Sequence, residues 1–268
     1  MRRGPFPRRR GPRRPEPDVK IQAGADRRLT SVFAQIGVPA QTPFTPDAFQ
    51  REAVDAVRQT DCLVTAPTGA GKTWIAEQAI RRVFENGGRA WYACPLKALS
   101  NAKFTEFAEI FGAANVGILT GDRREQPDAP IIIGTTEILR NQLYDAMHTG
   151  IELETDFVVL DEAHFLGDYD RGVVWEEIMI YLPARIPLLL LSATIGNADR
   201  IADWLAGMRG RRCAVVAETR RPVPLYPLFF HPSGTLYPLL VKGSPGKSRL
   251  SKKVAAYVRS NRPPYLSP

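Results

Sequence analysis

Eight consecutive residues, Ala66-Pro67-Thr68-Gly69-Ala70-Gly71-Lys72-Thr73, join the apolar run Cys62-Leu63-Val64-Thr65 to a helical pattern that begins with Trp74. A strand, a glycine-bearing loop and a helix in that order are what phosphate binding asks of a backbone. Gly69 and Gly71 lack a Cβ, so main-chain N–H groups can turn inward and approach an anion closely. The helix starting near Lys72 points the positive end of its dipole at the same place. Lys72 offers a point charge for β and γ phosphates, and the Thr73 hydroxyl offers a magnesium ligand. A second cluster, Asp161-Glu162-Ala163-His164, closes the apolar run Phe157-Val158-Val159-Leu160. Carboxylates at the carboxyl end of a strand lie where open α/β sheets bind ligands. Asp161 suits a magnesium ion held through its water shell, and Glu162 suits orienting and deprotonating an attacking water. The expected chemistry is hydrolysis of a nucleoside triphosphate, with Lys72, Asp161 and Glu162 as the catalytic set. A solvated lysine on a turn, or an acidic helix cap, would explain either segment alone but not both together.

Such residues must be held by a sheet, and the chain supplies one. Apolar runs at 62–65, 90–94, 116–119, 130–133, 157–160, 188–191 and 214–216 alternate with helical patterns near 72–85, 97–111, 136–147, 173–182 and 197–207. Continuous apolar strands separated by helices predict a doubly wound, mostly parallel sheet flanked by helices. The expected organisation is a basic, disordered arm at 1–28, a nucleotide-binding α/β domain at 29–219, and an edge strand followed by a linker at 220–268.

Composition limits what else the chain can be. Its 268 residues carry a net charge of +8, yet residues 1–20 alone hold seven arginines and one lysine against Glu16 and Asp18. Basicity is therefore concentrated in a proline-rich arm, which cannot form a regular helix and could bind phosphate backbones nonspecifically. The prolines argue against a transit peptide, and the longest apolar stretch, Leu188 to Leu191, is far too short to span a bilayer. The expectation is a soluble, cytoplasmic protein without a membrane partner. Cys62, Cys94 and Cys213 form no C-x-x-C pair and read as reduced thiols in or near the core, and the three histidines lack zinc-ligand spacing.

The short segments, taken in order, resemble those of the superfamily-two DExH-box helicases over roughly residues 40–230, which correspond to the first of that family's two RecA-like domains. Ala66 in place of the first loop glycine matches the helicase form of the loop. Phe44-x-Pro46-x-x-x-Gln50 is similar to the family's adenine-recognition element, which implies that Gln50 hydrogen-bonds the base edge and Phe44 packs beside it. A glutamine amide offers the donor and acceptor that an adenine edge needs. Pro95-Leu96-Lys97-Ala98-Leu99, Thr120-Gly121-Asp122 and Thr135-Thr136-Glu137-Ile138-Leu139-Arg140 look like its nucleic-acid contact motifs. The resemblance thus nominates Pro95, Lys97, Gly121, Asp122, Thr135, Thr136 and Arg140 as largely sequence-independent contacts to one strand's backbone. Ser192-Ala193-Thr194 looks like the coupling motif, with the Ser192 and Thr194 hydroxyls and His164 linking the magnesium-site carboxylates to the nucleic-acid side.

The stretch from Asp168 to Glu177, and Arg221-Pro222-Val223-Pro224-Leu225, closely resemble the superkiller-type helicases, RNA unwinders that feed exosome-like nucleases. That resemblance implies ATP and Mg2+, single-stranded RNA as substrate, and translocation from the 3′ end toward the 5′ end. Trp175 is expected to pack on the sheet rather than to stack on a base. After Thr194 none of the family's second-domain motifs follows, and Arg220 and Arg221 fall in the wrong place to supply its arginine finger. Turnover by this polypeptide alone is therefore expected to be about a thousandfold or more below that of a completed site. The implied partner is a second RecA-like domain in cis or in trans. Two alternatives stand beside an RNA helicase: a nucleotide-gated nucleic-acid-binding module with little turnover, and a DNA helicase of the same superfamily.

Overall fold

Six buried runs made mostly of Val, Ile, Leu, Ala and Cys line up side by side, with the half-buried Cys213–Ala217 at one edge, because each can bury both faces only inside a sheet that helices cover on both sides. The computed structural model describes residues 24–34, 44–223, 225–242 and 248–261. Most of them belong to a unit of residues 43–223. Its strands are β1 Asp61–Thr65, β2 Ala90–Cys94, β3 Val116–Leu119, β4 Arg124–Glu125, β5 Ile131–Thr135, β6 Phe157–Leu160, β7 Leu188–Ser192 and β8 Cys213–Ala217. Its main helices are α1 Ala48–Ala56, α2 Lys72–Glu85, α3 Lys97–Phe111, α4 Thr136–Thr149, α5 Gly172–Tyr181 and α6 Ala198–Arg209. The sheet runs β4-β3-β5-β2-β6-β7-β1-β8, parallel throughout except for the short β4.

Period-two alternation divides each strand between two cores. Cys62 and Val64 of β1 join Tyr92, Ile131 and Ile133 against Phe49, Ile75, Ile80, Phe107 and Phe111 of α1, α2 and α3. Leu63, Trp91, Val158 and Leu160 face the other way, onto Leu139, Leu143, Trp175, Ile178 and Leu205 of α4, α5 and α6. Trp175 is buried there, as expected. At the amino end of β1 the fully buried Asp61 carboxylate accepts from the Arg209 Nε–H (2.7 Å) and the Leu188 N–H (3.0 Å). The rest of the Arg209 guanidinium donates to the Leu182 and Ile186 carbonyls at 2.7 Å each, fixing α6 to the sheet.

The expected boundaries need two corrections. Leu29 to Phe33 do not open the sheet domain: the described segments 24–34, 225–242 and 248–261 come together in a second, smaller unit. There Gly24–Ala25, expected in the disordered arm, pairs in parallel with Thr235–Pro238, which pairs antiparallel with Leu228–Phe230. Nor is the region after 220 only a strand and a linker. Leu240–Lys242 and Ser248–Leu250 form a two-stranded ladder, and Lys252–Ser260 is helical. Asp26 explains part of this register: its carboxylate caps Arg28 N–H at 3.0 Å and pairs with Lys253 at 3.1 Å. The arginine-rich part of the arm, residues 1–23, lies outside the described residues.

Candidate active site and nucleic-acid interface

The phosphate-binding loop leaves β1 with Gly69 and Gly71 at φ of 85° and 78°, a left-handed backbone that a residue with a Cβ enters only under strain. A Cβ at Gly71 would also run into Gln50 Nε2. Gln50, buried in the first turn of α1, accepts from the Asp47 N–H (2.8 Å) and donates to the carbonyls of Ala70 (3.1 Å) and Gly71 (3.2 Å). The residue nominated for adenine therefore has both ends of its amide committed, the oxygen to Asp47 at the start of α1 and the nitrogen to the loop. Phe44 is largely exposed and packs on Trp74 of α2 with ring centroids 5.7 Å apart. Ala66 and Ala70 are buried, and Pro67 and Thr68 complete the turn before Lys72 and Thr73 open α2.

The Lys72 ammonium donates to the loop's own Ala66 carbonyl at 2.9 Å. Burial pushes its pKa below the usual lysine range; the carboxylates of Glu162 and Asp161 push it back up, and the positive charge of Arg221 adds to the lowering. Asp161 ends β6 with both oxygens held: Oδ1 accepts from the Glu162 N–H (2.8 Å) and Oδ2 from the Tyr92 hydroxyl (2.7 Å). Glu162 has φ of 53°, left-handed for a residue with a full side chain, and its Oε2 lies 3.2 Å from His164 Nδ1. Such backbone strain costs about 1–3 kcal/mol and persists where surrounding structure holds it, as at functional sites. Thr73 Oγ1 accepts from Lys103 Nζ at 2.9 Å. The donor set, a hydroxyl after β1 and a carboxylate after β6 at the carboxyl ends of the strands, suits a hard divalent cation.

The nucleic-acid candidates divide. Pro95, Lys97, Gly121 and Thr135 line one cleft of about 340 Å³, beside Leu96, Glu137, Ile138 and Arg171. Asp122 pairs with Lys97 at 3.1 Å, and this bond, with one from Thr120, lowers its pKa. Thr136 is fully buried, which corrects its nomination as a contact: the first turn of α4 turns it into the core. Arg140 is directed instead at Glu177 of α5 (3.4 Å) and at Asn141. The coupling motif also departs from expectation. Ser192 Oγ donates to the Ala193 carbonyl (2.8 Å), and among the described residues neither it nor Thr194 bonds to Asp161 or Glu162. Main chain ties the motif to the phosphate loop instead, since the Ala66 N–H donates to the Ser192 carbonyl at 3.1 Å.

A sequence model of the DEAD/DEAH box helicases matches residues 47–201. The chain belongs to the DEAD/DEAH box helicase family. It is 49% identical over 203 residues to the DExH-box ATP-dependent RNA helicase DExH15 of Arabidopsis thaliana, covering 74% of this chain and 17% of that protein. To the antiviral helicase SKI2 of Saccharomyces cerevisiae it is 45% identical over 191 residues, covering 70% of this chain and 14% of the relative. To the human superkiller complex protein 2 it is 42% identical over 220 residues, covering 80% and 17%. The superkiller-type resemblance is thus borne out, and the chain spans less than a fifth of the length of these relatives. The crystal structure of the DUF1998 helicase MrfA bound to DNA superposes with a TM-score of 0.52 at 20% identity, over 76% of this chain and 30% of that one, a likeness of fold.

This helicase domain also uses residues that motif reading missed. Tyr92 and Lys103 touch Asp161 and Thr73 from β2 and α3, and no local pattern marks either. Arg220 and Arg221, set aside in the sequence, come to the rim of the phosphate loop. β8 pairs with β1 as far as Ala217 opposite Thr65, the Glu218 N–H donates to the Thr65 carbonyl (2.9 Å), and Arg220 reaches Asp47 at 3.5 Å. Cys62 and Cys94 are buried free thiols whose pKa burial raises to about 12. Among the described residues no helix is long and apolar enough to cross a membrane.

Proposed function

We propose that residues 43–223 are the ATP-binding motor domain of an ATP-dependent RNA helicase. One observation carries this reading: the strand order places β6, β7 and β1 together at one side of the sheet and β3, β5 and β2 together at the other. The carboxyl ends of the first three bear Asp161-Glu162, Ser192 and the loop 66–73; those of the second three bear Gly121, Thr135 and Pro95-Lys97. A nucleotide side and a nucleic-acid side thereby share one edge of one rigid sheet.

In this reading the loop N–H groups and Lys72 bind the triphosphate of ATP, with Gln50 and Phe44 nearest its base. Thr73 and Asp161 would hold Mg2+, which when bound would neutralise phosphate charge. Glu162, oriented by its left-handed backbone and by His164, takes the proton of the attacking water. Lys97, Gly121 and Thr135 hold the phosphates of single-stranded RNA. A second RecA-like domain, in cis or in trans, supplies the remaining cations of the site. The relative named as an RNA helicase, DExH15, favours RNA over DNA, and 3′-to-5′ movement rests on the superkiller-type resemblance of the sequence alone.

The deciding experiment is equilibrium ATP binding by the wild type, Lys72→Ala and Glu162→Gln, with hydrolysis followed with and without single-stranded RNA and with DNA as competitor. ATP binding lost in Lys72→Ala but kept in Glu162→Gln, with the wild type's feeble hydrolysis lost in both, is the expected pattern. A wild type that does not bind ATP overturns the proposal, and preferential stimulation by DNA overturns the RNA assignment.

A further inference from the structure

The cleft that gathers Pro95, Lys97, Gly121 and Thr135 has another wall, formed by Arg171, a residue to which no motif assigns a role. We infer that Arg171 is a further backbone-phosphate contact of this cleft, a gripping cation contributed by the loop that follows the hydrolytic carboxylate. The inference rests on the nucleic-acid reading above and names a residue that reading did not contain.

Charge comes first. Of the two cations nominated from motifs, Lys97 is paired with Asp122 at 3.1 Å, and Arg140 is turned toward Glu177 and Asn141. Arg171 is exposed, and among the described residues no carboxylate lies within ion-pair distance of it. Glu137 lines the cleft as well, and its Oε2 lies 3.4 Å from Thr136 Oγ1. A guanidinium without an acidic partner, facing a wall of Gly, Thr and Lys, presents the planar fork of donors that matches a phosphodiester.

Position comes second. The Asp168 carboxylate accepts from the N–H groups of both Asp170 and Arg171 at 3.0 Å, and the Gly172 N–H donates to the Asp168 carbonyl at 2.8 Å. A Cβ at Gly172 would stand 2.5 Å from the Leu166 carbonyl oxygen, so only glycine lets α5 start this close to the loop. The Arg171 guanidinium then lies over the Phe165 ring, 5.7 Å from its centroid. A planar cation held against a ring loses less freedom when it binds a phosphate. Phe165 also stacks on His164, at 4.9 Å, whose Nδ1 lies 3.2 Å from Glu162 Oε2. The cation of the nucleic-acid cleft therefore stands on an aromatic stack that leads to the hydrolytic carboxylate.

The test uses the full 268-residue chain and fluorescein-labelled single-stranded oligouridylate, with binding followed by anisotropy across a salt series. Arg171→Ala is expected to bind about tenfold more weakly than wild type at low salt, and the slope of log affinity against log salt should become shallower by about 0.7. Arg171→Lys should recover the slope but only part of the affinity, because it restores the charge without the fork. Arg185→Ala removes the same charge at the amino end of β7, where Arg185 pairs with Glu152, and should leave both quantities unchanged. Unchanged affinity and slope in Arg171→Ala overturn the inference, and so do equal losses in Arg171→Ala and Arg185→Ala. Failure of the wild type to bind RNA or the matching DNA strand overturns the underlying nucleic-acid reading instead.

Discussion

The Tyr92 hydroxyl donates to Asp161 Oδ2 across 2.7 Å, from the fully buried face of β2 to the end of β6. Burial and the neighbouring Asp161 charge raise the phenol's pKa well above its ordinary value, so it stays a donor across the whole working range. The bond crosses the line between the strands that carry nucleic-acid candidates and those that carry nucleotide candidates. Tyr92→Phe keeps the ring packed on Phe107 and removes only this donor. Because hydrogen bonds to charged groups contribute about 1.5–3 kcal/mol, magnesium-dependent ATP binding should weaken about tenfold or more. Binding measured without magnesium should not change. A magnesium titration that superposes on wild type would remove Tyr92 from the site.

Gln50 bridges Asp47 to the phosphate loop, which makes its amide hydrogens the vulnerable part. Gln50→Glu keeps the acceptor for the Asp47 N–H but sets a carboxylate against the Ala70 and Gly71 carbonyls. The expected cost is about 1–3 kcal/mol in urea unfolding, with a parallel loss of ATP affinity as the loop loosens. Equal stability in the two proteins would mean that the bridge contributes nothing.

Asp61 and Arg209 have side-chain exposures of 0% and 2%, so Asp61 without Arg209 keeps as counter-ion only the longer contact of Arg211 at 3.4 Å, and Arg209 without Asp61 is a buried charge with no counter-ion. Arg209→Met should destabilise the domain by about 3–5 kcal/mol, whereas the double variant Asp61→Leu/Arg209→Met should lose markedly less than the sum of the single changes. Chemical denaturation of the four proteins checks this, and additive losses would show that the pair is not coupled.

The buried thiols set an alkaline limit. The pKa values of Cys62 and Cys94 rise from 9.0 to about 12 on folding, chiefly through burial. A pKa raised in the folded state stabilises fully below the unfolded value and is lost as pH passes through the folded one. Stability should therefore fall between about pH 9 and about 12, and Cys94→Ala should fall less steeply over that window while starting from a lower value at pH 7. Parallel melting curves for the two proteins against pH would exclude a thiol contribution.

Much of the site was legible locally. Five of the six main helices and the core strands of the sheet domain lie within two residues of where apolar periodicity put them, because each strand is long enough to be buried on both faces and each helix has one apolar face. Lys72, Thr73, Asp161 and Glu162 could be nominated because a phosphate loop and a strand-end carboxylate are continuous stretches of sequence. Thr136 and Arg140 misled for the same reason: a continuous motif does not say which of its side chains turn inward or find a partner on another helix. The small unit was missed because Gly24–Ala25 and Thr235–Leu236 pair across more than two hundred residues with no strong periodicity at either end.

By itself the sequence determined which chemistries are present and that each stands just after a strand, since loop conformation, helix starts and strand burial depend on neighbours in the chain. Only the tertiary structure decided how those chemistries are grouped. Crossover helices separate parallel strands that follow one another in sequence, and their order in the sheet is set by non-local packing on its two faces. That order brings β7 between β6 and β1, sets Tyr92 against Asp161, and carries Arg171 into a cleft built from loops that precede it by more than thirty residues.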